Sequence, residues 1–163
     1  MRTVKTKVYS IDELSKEAKE KAIKDWIETD ELEFLSEDLS YKLEELLKEH
    51  KIEGDAKIYY SLSYCQGDGA MFEGSFEWKG YEVEIEHNGH YYHYNSKMIG
   101  ISDNNGKDVS EKIEKEFNNL YVKICKELEE YGYDCIGTSQ EDESVVDAMK
   151  ASDHEFTEDG EMY

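Results

Sequence analysis

The sequence predicts an α+β fold: an antiparallel β-meander of about four to five strands, with helices from both chain ends packed on one face. Two observations carry this expectation. Apolar residues recur at helical spacing up to about residue 50 and again beyond residue 108, whereas between about 56 and 99 they fall on every second position. Turn residues separate the alternating runs at short intervals, which suits hairpins and leaves no room for βαβ crossovers. A chain of 163 residues without Pro and without a Gly- or Ser-rich tract fits a single domain, 1–163.

The elements follow in order. Residues 4 to 9, Val-Lys-Thr-Lys-Val-Tyr, alternate as a short strand. Ser15 is a good N-cap for a first helix, whose stripe comprises Leu14, Ala18, Ala22, Ile23, Trp26 and Ile27. A second helix is expected from Thr29 or Asp30 to about His50, through Leu32, Leu35, Leu39, Leu43, Leu46 and Leu47, with a Gly break at 51 to 55. Ile58, Tyr60, Leu62 and Tyr64 then alternate with Lys57, Tyr59, Ser61 and Ser63 before the turn Gln66-Gly67-Asp68-Gly69. Phe72, Phe76 and Trp78 mark the next strand, and Tyr81, Val83 and Ile85 a third, with Lys79-Gly80 between them. Asn88-Gly89 predicts a further two-residue hairpin, with Tyr91 to Asn95 as its return strand. After a loop at Asp103-Asn104-Asn105-Gly106, Val109, Ile113, Phe117, Leu120, Ile124, Leu128 and Tyr131 mark a long third helix. A short fourth helix fits 141 to 150, capped by Ser139, and the tail from His154 to Gly160 reads as a strand end and turn.

Forty Asp and Glu against nineteen Lys and Arg give a formal charge of −21, yet thirteen Tyr, five Phe and two Trp supply enough apolar surface to close a core. The charge therefore sits on a folded surface. It opposes direct binding of nucleic acid, which requires clustered Lys and Arg to neutralise phosphates. It favours rapid, salt-sensitive association with a basic surface. The polar N-terminal stretch and the lack of any run of about 18 apolar residues predict neither a secretion signal nor a membrane span, hence a cytoplasmic protein. Cys65, Cys125 and Cys135, an odd number without C-x-x-C spacing, are expected as reduced thiols.

The two hairpins locate the charge. With Lys79-Gly80 as the loop, Glu77 faces Glu82, Ser75 faces Glu84 and Glu73 faces Glu86. With Asn88-Gly89 as the next loop, Glu86 faces Tyr91, Glu84 faces His93 and Glu82 faces Asn95. Like charges opposite one another destabilise a sheet, and broken stability rules concentrate at functional sites. Glu73, Glu77, Glu82, Glu84 and Glu86, with Tyr91 and His93 as less solvated anchors, are therefore the expected partner-binding residues. The face admits three readings: a solvated surface, a stand-in for phosphates that binds a basic protein, or a divalent-cation site of Glu73, Glu84, Glu86 and His93.

Catalytic and cofactor signatures are weak. His87, His90 and His93 are spaced three apart, so on a strand they point to alternating faces. Cys65 beside a Gly-rich bend, with His93 as base, is the enzyme alternative, although strand alternation accounts for Cys65 equally well. The glycines match no phosphate-binding or dinucleotide motif, and no cofactor or catalytic residue is assigned. The expectation is that the chain is not an enzyme.

On three segments, 8 to 22, Val-Tyr-Ser-Ile-Asp-Glu-Leu-Ser-Lys-Glu-Ala-Lys-Glu-Lys-Ala, 61 to 70, Ser-Leu-Ser-Tyr-Cys-Gln-Gly-Asp-Gly-Ala, and 155 to 160, Glu-Phe-Thr-Glu-Asp-Gly, the chain resembles small acidic proteins widespread in bacteriophages and mobile elements, and the resemblance covers most of its length. Some of those proteins carry the label antitoxin of a toxin–antitoxin stability system. The resemblance implies a phage protein acting in the cytoplasm of a bacterial host by protein–protein interaction. Its expected role is an inhibitor of host defence, of anti-CRISPR or DNA-mimic type, that engages a basic, nucleic-acid-binding host protein. Neutralisation of a co-encoded toxin is the alternative, and the sequence leaves room for a homodimer.

Overall fold

The computed structural model describes residues 6–30 and 32–163. It is an α+β fold with helices α1 (Lys16–Thr29), α2 (Phe34–Glu49), α3 (Glu111–Ser139) and α4 (Asp142–Ala151), and strands β1 (Ile52–Ser61), β2 (Gly69–Trp78), β3 (Tyr81–His87) and β4 (Lys97–Ser102). The strands form one antiparallel meander in the order β1-β2-β3-β4. Contacts divide the chain into two compact units, one of residues up to Leu32 with Cys135–Tyr163, the other of Glu33–Asp134.

In the first unit α1 starts where the Ser15 hydroxyl accepts the Ala18 N–H at 3.2 Å. Ile11, Ala22, Ile23, Val145, Val146, Met149 and Phe156 form its core, with Leu14, Trp26 and Ile27 packed against it. The cap of α4 is Glu141, without a side-chain bond; the expected cap Ser139 lies in the last turn of α3 and gives its hydroxyl to the Ile136 carbonyl. Val4 and Lys5 of the expected first strand lie outside the described residues. Tyr9 makes an isolated bridge to Phe156 instead of entering a longer strand, and Phe156 bridges onward to Met162.

In the second unit α2 and α3 flank the sheet in sequence and pack on it. α2 lies against β1. On α3, Phe117 meets Trp78 edge-on at 5.1 Å, and Tyr121 meets Phe72 at 4.8 Å while donating its hydroxyl to the Phe72 carbonyl at 3.0 Å. The sheet's inner residues Phe72, Phe76, Trp78, Val83, Ile85 and Ile101 are buried, as are Leu39, Leu43 and Leu46 of α2. Burial at about 25 cal/mol per Å2 of apolar surface is the principal force that holds these layers together.

α2 begins four residues later than its apolar period implies. Asp30 accepts the Leu32 N–H at 3.0 Å and Leu32 adopts a left-handed backbone (φ 51°), so the chain turns before it coils again. The helix stops at Lys51, also left-handed (φ 55°), and β1 follows at once, so Gly54 lies inside the strand and not in a break. Gly74 permits the close approach of β1 and β2, because a Cβ there would lie 2.1 Å from the Asp55 carbonyl oxygen. Lys79 (φ 52°) and Gly80 (φ 78°) form the left-handed pair of a type I′ hairpin, as expected.

The second expected hairpin is replaced by a longer loop. β3 ends at His87, Asn88 N–H bonds the Ser96 carbonyl at 3.1 Å, and residues between them close a loop that leads to β4. The strand partners of Glu82, Glu84 and Glu86 are consequently Ser102, Gly100 and Met98, in place of Asn95, His93 and Tyr91. The physical reason is burial. Ile99 and Ile101 pair with Ile85 and Val83 on the inner face, an apolar match that the polar stretch from His90 to Asn95 cannot supply.

Candidate functional site: an acidic sheet face with an aromatic end

Alternation along the strands sends one set of residues toward the helices and the other outward. The outward set forms rows across the sheet. Glu53 pairs with Glu77, Glu77 with Glu82, and Glu82 with Ser102; in the next row Asp55 pairs with Ser75, Ser75 with Glu84, and Glu84 with Gly100. Glu73 opposes Lys57, and Glu86 opposes Met98. The expected facing of Glu77 with Glu82 and of Ser75 with Glu84 is therefore present. Neighbouring strands lie about 4.8 Å apart and same-face residues about 6.7 Å apart along a strand, so this is a lattice of negative charge on a rigid support.

Few internal partners relieve it. Ser75 donates its hydroxyl to Glu84 at 2.7 Å. Glu73, the one half-buried carboxylate of the group, accepts the Tyr59 hydroxyl at 2.6 Å and the His87 N–H at 3.2 Å. The Tyr59 bond is the main reason its carboxyl is held below the usual range against the opposing effect of burial, with the His87 N–H and the Lys57 charge assisting. Glu53, Asp55, Glu77, Glu82 and Glu86 are exposed, and their carboxylates form no hydrogen bond or ion pair among the described residues. Three unneutralised glutamates in a row cost stability, up to about 1 kcal/mol for each directly opposed pair.

Two loops meet at one end of this face. The β1–β2 loop, residues 62–68, is organised by Asp68. Its carboxylate accepts the Ser63 N–H at 2.7 Å, the Cys65 N–H at 2.9 Å, the Tyr133 hydroxyl at 2.6 Å and the hydroxyls of Ser61 and Ser63 at 3.2 and 3.1 Å. Burial pushes this carboxyl up, but the donors outweigh it and hold the group well below the usual carboxylate range. Tyr133, partly desolvated and bonded to that anion, is pushed up to about 12. The loop holds Tyr64 in a left-handed conformation (φ 58°) with its ring 4.6 Å from Tyr133 and 70% exposed.

The β3–β4 loop, residues 88–96, folds back over the first. Tyr92 and His87 stack on Tyr59 at 5.4 and 5.3 Å, and the His87 Nε2 lies 3.2 Å from the Tyr91 carbonyl. The Tyr91 ring lies over Gly67, 3.5 Å from where a Cβ would be, and is 71% exposed. His93 packs against Gly69 and, at 3.8 Å, against Tyr94, while its Nδ1 accepts the Asn95 N–H at 3.2 Å. Tyr91 and His93 thus stand at the loop end of the sheet and not opposite Glu86 and Glu84.

Of the expected site residues, Glu77, Glu82, Glu84 and Glu86 share the open face, Glu73 is drawn into the aromatic stack beside it, and Tyr91 and His93 belong to the loop end. Glu53 and Asp55 complete the face; their alternation with Gly54 and Ala56 is a strand signal, which Gly54, expected as a helix break, conceals. No comparable signal marks Asp68 and Tyr133, which are 65 positions apart. Among the described residues no group of three or more His, Cys, Asp or Glu is arranged to hold a metal ion, and no helix is long and apolar enough to cross a membrane. Cys65 is exposed, and its polar contacts are with Ser63 and Asp68.

Searches of protein-family models, of curated proteins and of solved structures find no match to this chain.

Proposed function

We propose that this chain is a phage-type inhibitory protein that acts by binding: its acidic sheet face occupies the basic surface with which a host protein grips nucleic acid. The observation that supports this reading is the row Glu53, Glu77 and Glu82, with Glu84 and Glu86 beside it, exposed and unneutralised on a rigid antiparallel sheet. A solvated surface gains nothing by stacking carboxylates in register, whereas a surface that competes with a polyanion does. The same arrangement disfavours direct contact with DNA or RNA.

The partner class is a nucleic-acid-binding protein of a host defence system, reached in the bacterial cytoplasm. The test is competition. A host nuclease or effector that the protein captures should lose its grip on its own DNA or RNA as the protein is titrated in. The variant E82K/E84K/E86K should lose this effect while keeping the wild-type circular dichroism spectrum. Undiminished competition by that variant would remove the face from the account.

A further inference from the structure

The free edge of β1 joins three properties that an acidic face alone does not require. Its hydrogen-bonding groups are unmet. The Lys79-Gly80 turn makes Trp78 and Tyr81 the hydrogen-bonded pair that closes its hairpin, so alternation turns the backbone of Glu53, Asp55 and Lys57 toward β2 and that of Gly54, Ala56 and Ile58 away from the sheet. Among the described residues no backbone bond from elsewhere in the chain reaches those three. The inner layer is also open here. Gly54 and Ala56 are exposed although they face inward, whereas Phe72, Phe76, Val83 and Ile85 are buried. Beside them lies a groove of about 320 Å3, lined by Leu43, Glu44 and Leu47 of α2 and by Gly54, Ala56 and Ile58. The outward residues Glu53 and Asp55, finally, are carboxylates without an ion pair among the described residues, while Lys57 is held over the Tyr59 ring and opposite Glu73.

Building on the acidic-face reading, we infer that an extended segment of the basic protein partner adds to β1 as a further, antiparallel strand: its apolar side chains enter the groove, and its basic side chains, at alternate positions, lie against Glu53 and Asp55. Strand addition satisfies the N–H and C=O groups of the edge, and the period of two sends the added side chains to the same two faces as those of β1. The charge selects the occupant. A second copy of this chain would bring further carboxylates to an edge already lined with them, whereas a segment with Lys or Arg at every second position neutralises them. The other edge lacks this chemistry: β4 has six residues, Asp108 bridges to Ser102 beside it, and the outward residues Met98, Gly100 and Ser102 carry no charge.

The test uses the whole protein and fluorescent octapeptides of Lys and Val in anisotropy titrations at about 0.15 M salt. A probe in which Lys and Val alternate should bind at least about tenfold tighter than one of the same composition with all its Lys before all its Val, the difference that one or two net backbone hydrogen bonds supply. N-methylation of the valines, whose N–H groups face β1 in this arrangement, should remove the preference, and N-methylation of the lysines should leave it within about twofold. Ala56→Pro removes an edge N–H that the sheet does not use, so this variant should keep the wild-type circular dichroism spectrum and lose the preference. Equal binding of the two probes by wild type, or a preference that survives both Ala56→Pro and methylation of the valines, overturns the inference. Failure of the underlying reading shows separately: E82K/E84K/E86K, on β3 and two strands from this edge, would then weaken competition with a host protein's nucleic acid no more than D25K/E49K/E130K, which makes the same charge change on exposed helix positions.

Discussion

At the scale of single residues, Asp68 is the side chain on which the loop end depends. One carboxylate accepts two backbone N–H groups and three hydroxyls, from residues as distant as Tyr133. Replacing it by Asn puts an NH2 group among donors, and Asp68→Asn should lower stability by about 2–3 kcal/mol in urea unfolding at pH 7. Because the folded carboxyl is held below its ordinary value, its contribution is complete above about pH 4 and declines as pH falls further. The stability difference between wild type and Asp68→Asn should therefore narrow below that pH; a difference that grows with acid would refute the assignment. The thiols offer a second residue-level check. Burial pushes Cys125 up to about 12, whereas Cys65 is exposed. Maleimide should label Cys65 first in the native protein and reach Cys125 only after denaturation.

At the scale of elements, the Lys79-Gly80 turn and the carboxylate rows make opposite demands on the sheet. A Cβ at Gly80 would meet nothing within 4 Å, so Gly80→Ala tests conformation alone. Its left-handed φ predicts a loss of about 1–2 kcal/mol by denaturant titration. Glu82 lies opposite Glu77, and Glu82→Gln should stabilise the fold by up to about 1 kcal/mol at low salt. Stabilisation on removing a surface carboxylate is the mark of a face that accepts a cost for its charge. The meander, its first hairpin and the outward set of glutamates were legible in the sequence because alternation and a two-residue left-handed turn are local signals. The second hairpin misled because Asn-Gly also serves inside longer loops, and the pairing of Ile99 and Ile101 with Ile85 and Val83 outweighs the local turn preference. Asp68 with Tyr133, and the stack of Tyr59, His87 and Tyr92, bring together residues distant in sequence, so no periodicity announces them.

At the scale of the whole molecule, a formal charge of −21 acts on stability and on binding in opposite senses as salt changes. Screening weakens self-repulsion, so the melting temperature should rise between about 10 mM and 0.5 M salt, over which the Debye length falls several-fold. The same screening should weaken capture of a basic partner. The central claim is more specific than net charge: it places binding on one sheet face. The most direct measurement is affinity capture from bacterial lysate, eluted by rising salt, with wild type, E82K/E84K/E86K and D25K/E49K/E130K compared side by side. The account predicts that wild type and the helix variant retain the same basic, nucleic-acid-binding protein to similar salt, and that the sheet-face variant loses it. Equal loss by both variants would show that charge acts without regard to place, and would contradict the assignment of the face.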